Sequence, residues 1–199
     1  MDDTYLTIES ESQGLFKDKG SKFLAFAYPV QTEEQVKEYV QQLRKSYFDA
    51  RHHCYAFRLG HKMDIFRAAD DGEPSGTAGR PILGQIQSRN LTNVLVVVVR
   101  YFGGTLLGTS GLIQAYKAAT ADALDAAKIC EKIVEELIEV TFQYEAMNEV
   151  MRLQKDENLT IISSNYDNVC KMTLSCRTSK FDFIVSKLEK IEGVYVEKS

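Results

Sequence analysis

The residues of this chain best equipped for chemistry lie in two glycine-rich segments. The first, DDGEPSGTAGRPIL, runs from Asp70 to Leu83. It gathers Asp70, Asp71 and Glu73 ahead of Arg80, with Ser75, Gly76 and Thr77 between them. Three carboxylates this close suggest a metal site or general acid–base work. Their spacing matches no recognised ligand pattern, and Pro74 holds Glu73 in an extended backbone. An Arg80–carboxylate pair that braces a recognition loop accounts for the same residues. The second segment, NVLVVVVRYFGGTLLGTSG, spans Asn93 to Gly111. Its Gly103, Gly104, Gly108 and Gly111, with Thr105, Thr109 and Ser110, follow an apolar run. Such a turn lets the free amides at a helix start approach an anion. Gly103 and Gly108 have P-loop spacing, but Thr109 stands where that motif needs lysine. A sharp strand-to-helix turn capped by Ser110 is the alternative. Arg100, Tyr101 and Phe102 put a guanidinium beside two rings, which suits phosphate binding or stacking on a base. The same trio can pack the loop against a sheet.

Other chemistry finds less support. His52, His53 and Cys54 are consecutive, and on a strand the two histidines point to opposite faces, which separates them as ligands of one metal. His53 is expected to face the core or a loop. Ser75 and Ser110 lack the surroundings of a nucleophile elbow. The residues therefore assign no catalytic set, no metal and no cofactor.

Eight of the 12 glycines and two of the 3 prolines fall between Gly72 and Gly111. Glycine costs backbone entropy, so this density marks loops of special shape, and rigid elements must hold them. Residues 4–8 and 21–30 are expected strands, with Gly14 and Gly20 punctuating the connection. TEEQ at 32–35 has the form of a capping box, and Val36, Tyr39, Val40, Leu43 and Tyr47 keep helical spacing to about Phe48. A strand follows at His53–Leu59 and a short helix at Ile82–Gln87. Val94–Val99, apolar and mostly β-branched, predicts a strand buried on both faces. Ser110–Lys128 predicts a helix whose Ala115, Ala119, Ala123 and Ala127 permit close approach to a sheet. Beyond Ile129–Lys132 the rhythm changes. Strands near Val134–Gln143, Thr160–Ser164, Val169–Cys176 and Val194–Glu197 alternate with helices near Ala146–Glu157 and Ser179–Ile191. That is the split β-α-β-β-α-β pattern. The class is α+β, with domains at 1–130 and 131–199.

The chain has 199 residues, 44% of them hydrophobic and 26% charged, as in an ordinary globular protein. No apolar stretch approaches the ~20 residues that span a bilayer. The acidic start lacks a basic-then-apolar signal, so a cytoplasmic protein with no membrane partner is expected. The 4 cysteines lack CxxC spacing and are expected to be reduced and mostly packed. The net charge of −4 argues against a bulk-basic DNA-binding domain; RNA binding would need a local basic patch.

At the two glycine segments the chain resembles the YigZ/IMPACT family. SKF at 21–23 and HHCYAFR at 52–58 also fit that family's pattern, and the resemblance covers roughly residues 1–128. It implies an N-terminal domain with the two-layer α/β fold of a small-subunit ribosomal protein's second domain and of GHMP kinases. It further implies a ferredoxin-like C-terminal domain similar to the last domain of elongation factor G. Eukaryotic relatives regulate translation during amino-acid starvation by competing for an activator of a kinase. The resemblance thus implies a non-enzymatic, translation-associated, stress-responsive binding protein. Its partner would be RNA, the ribosome or a regulatory protein, met through loops 70–83 and 100–111. The other function in view is an enzyme or sensor of a phosphorylated small molecule at Gly103–Gly111.

Overall fold

The computed structural model describes residues 3–198, without the Lys198 side chain. Met1 and Asp2, which open the expected first domain, and Ser199, which ends the second, lie outside the described residues. The chain divides into two compact units, Tyr5–Lys132 and a second that holds Ile133 onward together with residues 3–4.

The strands and helices of the first part are β1 (Thr4–Ile8), β2 (Ser12–Asp18), β3 (Ser21–Pro29), α1 (Glu33–Ser46), β4 (His52–Leu59), β5 (Ile65–Ala69), α2 (Gly79–Ser88), β6 (Val94–Tyr101), α3 (Gly108–Ala126) and β7 (Ile129–Ile133). Five strands form an antiparallel sheet in the order β2-β3-β6-β4-β5. The valine run places β6 at its centre. Val94, Val96 and Val98 pack into the core under α2 and α3. Leu95, Val97 and Val99 pack into a second core with Val36, Val40 and Leu43 of α1. Helices thus cover both faces of this sheet. Thr32 caps α1 through its hydroxyl, which accepts from the Gln35 amide, and the Gln35 side chain accepts from the Gln31 amide.

Three strands escape the sequence pattern. The inward residues of β2 are Ser12, Gly14, Phe16 and Asp18, so only one is a large apolar group. Gly14 is not loop punctuation but the point where β2 meets α3. A Cβ there would stand 2.3 Å from the Ala123 amide nitrogen. β5 is an edge strand with Ile65 and Phe66 exposed. β7 pairs with β1 in a two-stranded ladder, and its largely exposed residues carry no alternation.

The second unit contains β8 (Glu135–Phe142), α4 (Met147–Asp156), β9 (Thr160–Tyr166), β10 (Cys170–Arg177), α5 (Phe181–Leu188) and β11 (Val194–Lys198). Its antiparallel sheet has the order β11-β8-β10-β9, which realises the ferredoxin-like arrangement. Ile138, Val140, Met172 and Leu174 pack against Val150, Ile184 and Leu188 of the helices. The other face is solvated, and there Glu139 lies opposite Glu197. Among the described residues no helix is long and apolar enough to cross a membrane.

Candidate functional site

The first glycine segment is shaped by Asp70. Its carboxylate accepts from the amides of Gly76, Ala78 and Gly79, at 2.8, 3.1 and 2.8 Å. Two of these donors belong to the start of α2, where free amides otherwise lack partners. Pro81, in the first turn, has no amide to satisfy. Burial pushes the Asp70 carboxyl up, but the three amides together hold it below its ordinary value. These amides supply most of the brace expected from Arg80, whose charge adds a smaller lowering of the Asp70 carboxyl. Among the described residues the exposed Arg80 forms no ion pair, because the carboxylates nearest to it in the chain point to other partners. Asp71 accepts from Arg44 and from the His53 amide. The His53 ring is buried against the Tyr47 carbonyl, and burial pushes its pKa down.

Glu73 turns inward. It is 8% exposed, and its Oε1 accepts from the Arg100 guanidinium at 2.6 Å and from the Tyr116 hydroxyl at 2.7 Å. Burial drives the Tyr116 hydroxyl far above the usual tyrosine range, so it stays protonated and donates. The Cys54 thiol, which touches Tyr116 and the Asp70 carbonyl, is pushed up by burial as well. Arg100 is 5% exposed. Its guanidinium carbon lies 5.4 Å from the Phe23 ring centroid and 5.8 Å from that of Phe102. Arg100 therefore ties the two glycine segments together and carries Phe102 on its outer side.

The second segment turns through Gly103. A Cβ there would stand 2.0 Å from the Gly20 carbonyl carbon, so only glycine lets this loop lie on the β2–β3 turn. The Gly103 amide donates to Ser21 Oγ. α3 then begins at Gly108, two residues before the expected start, and has no side-chain cap. Ser110 lies inside its first turn instead of capping it.

Two cavities result. One, of about 470 Å³, is lined by the expected Glu73, Arg100, Phe102, Gly108 and Thr109, and by Arg51, His52 and three leucines. The other, of about 510 Å³, brings Tyr101 and Phe102 together with Lys17, Lys22 and Tyr47. Asp71, Ser75, Gly76, Thr77, Arg80, Gly103, Gly104, Ser110 and Gly111 line neither. Gly76 and Thr77 serve loop shape; the Thr77 hydroxyl donates to the Pro74 carbonyl. The sequence reading missed Tyr116, whose signal was a hydroxyl-bearing ring among the α3 alanines. It also missed the lysines on either side of Gly20.

Both glycine segments, with Glu73, Arg100 and Phe102, fall inside residues 19–124, which match the model of the Impact N-terminal domain. The chain belongs to the IMPACT family. It is 30% identical over 163 residues to the IMPACT family member YvyE of Bacillus subtilis, covering 82% of this chain and 75% of that one. An IMPACT family member of Haemophilus influenzae is 31% identical over 178 residues, covering 88% and 86%. A crystal structure of a hypothetical protein matches with a TM-score of 0.78 at 27% identity, covering 100% of this chain and 98% of that one. Within this IMPACT family chain, the matched region holds the whole Asp70, Glu73 and Arg100 network.

Proposed function

We propose that this chain is a non-enzymatic, translation-associated regulatory protein. It binds RNA, the ribosome or a regulatory protein at the end of the sheet where the two glycine segments meet. One observation carries the reading. The buried ionisable groups of the site are spent on each other, Glu73 on Arg100 and Tyr116, while Phe102 and Leu106 turn outward, 47% and 82% exposed. Groups arranged this way build a recognition surface better than an acid–base centre. Membership of the IMPACT family supports a role in translation regulation. The purified chain, added to a cell-free bacterial translation extract, is expected to change reporter synthesis in a dose-dependent way. Phe102→Ala should weaken that effect while leaving the circular dichroism spectrum intact. Reporter synthesis unchanged at a large excess of the chain would overturn the reading.

A second reading is a sensor of a phosphorylated small molecule at the Gly103–Gly111 turn. It is favoured by the uncapped start of α3 beside the Arg51 and Arg100 side chains. Calorimetry with inorganic phosphate tests it. Saturable binding in the micromolar range that Thr109→Pro abolishes is expected under this reading, and no heat at millimolar phosphate overturns it.

A further inference from the structure

The two cavities flank one ring, Phe102, and the second has a composition the glycine segments do not explain. On the α1 side of the sheet no residue of β2 joins the core, so a strip of sheet stays open there. Register fixes what lies on it. Lys17 pairs with Lys22, and Lys22 with Tyr101. One row below, Leu15 pairs with Leu24. Tyr47, at the end of α1, and Phe102 line this groove with them. Both rings are braced. Tyr47 packs on Phe26 with centroids 5.4 Å apart, and Phe102 has the Arg100 guanidinium behind it. Tyr101 is held by its hydroxyl, which donates to Asp49 at 2.7 Å.

The charge at the groove is positive. Lys17 and Lys22 line it, Lys19 sits on the adjoining turn, and Arg51 lies in the cavity beyond Phe102. Asp49 keeps its charge while it accepts from Tyr101, so one carboxylate stands against Lys17, Lys19 and Lys22; Asp18 points to the opposite face from Lys17. Planar rings beside exposed lysines are what a single-stranded nucleic acid uses. Its bases stack on the rings and its phosphates meet the cations. A duplex hides its base faces and has nothing to offer Phe102. The solvated sheet face of the second unit, with Glu139 opposite Glu197, repels phosphate.

We infer that single-stranded RNA binds across Phe102, with bases on Phe102 and Tyr101 and phosphates at Lys17 and Lys22. The choice of RNA over DNA rests on the translation reading above; the groove itself does not. The test is fluorescence anisotropy of a labelled oligouridine of about eight nucleotides, a length within the usual span of such sites. Binding at low salt is expected, with log K falling against log salt at a slope of about −1.4 for two phosphates neutralised. Phe102→Ala should weaken binding about 5- to 160-fold, in line with the loss of one stacked base. Lys17→Gln and Lys22→Gln, both at exposed positions, should each lower the slope by about 0.7. Glu139→Gln should leave binding unchanged.

Several results would overturn the inference: no oligouridine binding at low salt, equal affinity for a duplex, equal affinity for uridine monophosphate, or an acidic peptide that binds while oligouridine does not. A translation effect without oligouridine binding overturns the groove and keeps the functional reading. Oligouridine binding without a translation effect keeps the groove and overturns the reading.

Discussion

Glu73→Leu is expected to destabilise the N-terminal unit by about 3–5 kcal/mol, because it leaves the Arg100 charge buried without its partner. Arg100→Met should cost a similar amount by stranding the carboxylate. The double variant should cost clearly less than the sum, since replacing both members of a buried pair by apolar groups is often close to neutral. The geometry explains why the pair is exacting. The two side chains are 3% and 7% exposed, and among the described residues the Arg100 Nε has no hydrogen-bond partner. The guanidinium also lies within about 6 Å of the ring centroids of both Phe23 and Phe102. Part of the loss survives in the double variant, because the Tyr116 hydroxyl still loses its acceptor. Hydrogen exchange at the β6 amides measures the effect, since β6 sits at the centre of the sheet and reports the opening of this unit. Additive costs in the double variant would show that the two residues do not act as a pair.

The same pair shows where sequence reading stops. Val94–Val99 gave away a doubly buried strand because six apolar residues leave no solvent face. TEEQ gave away the start of α1 because capping is local, fixed within four residues. The split pattern of the second unit was legible for the same reason, each element carrying its own period. Glu73 and Arg100 are 27 positions apart, and nothing local distinguishes Arg100 from Arg80 as the partner of a carboxylate. What decides is burial. β6 delivers Arg100 to the end of the sheet beneath Phe102, while Arg80 enters α2 on its solvent side. The groove was harder still. It needs β2, whose inward face carries a serine, a glycine and an aspartate, and so shows no apolar alternation. Without β2, Lys17 and Lys22 are two lysines near a glycine; with it, they are one row of a sheet ending in Tyr101. The family resemblance drew attention to the conspicuous glycines. The structure assigns those glycines mainly to shape, and leaves the exposed rings and lysines beside them as the groups free to touch a partner.

Asp70→Ala is expected to cost roughly 3 kcal/mol, because one carboxylate serves three amides and a hydrogen bond to a charged group contributes about 1.5–3 kcal/mol. α2 opens on Ala78 with no side-chain cap, so water must enter the turn to replace Asp70. The charge makes the contribution dependent on pH, with a definite sign. The folded carboxyl titrates below its ordinary 3.8, so the unfolded chain takes up the proton first as pH falls. Stability from this group is therefore complete above about 3.8 and is lost as pH drops through the lower folded value. Asp70→Asn keeps the shape and one acceptor oxygen but cannot titrate. Its protection at the β6 amides should be lower than wild type at neutral pH and should converge with wild type in acid. An acid limb of the same depth in Asp70→Asn and wild type would place the pH dependence elsewhere. The effect should also reach the groove. Asp70 shapes the loop that delivers Glu73, Glu73 holds Arg100, and Arg100 backs Phe102. Loss of the three amide bonds should thus loosen Phe102 and weaken oligouridine binding, although Asp70 lines neither cavity.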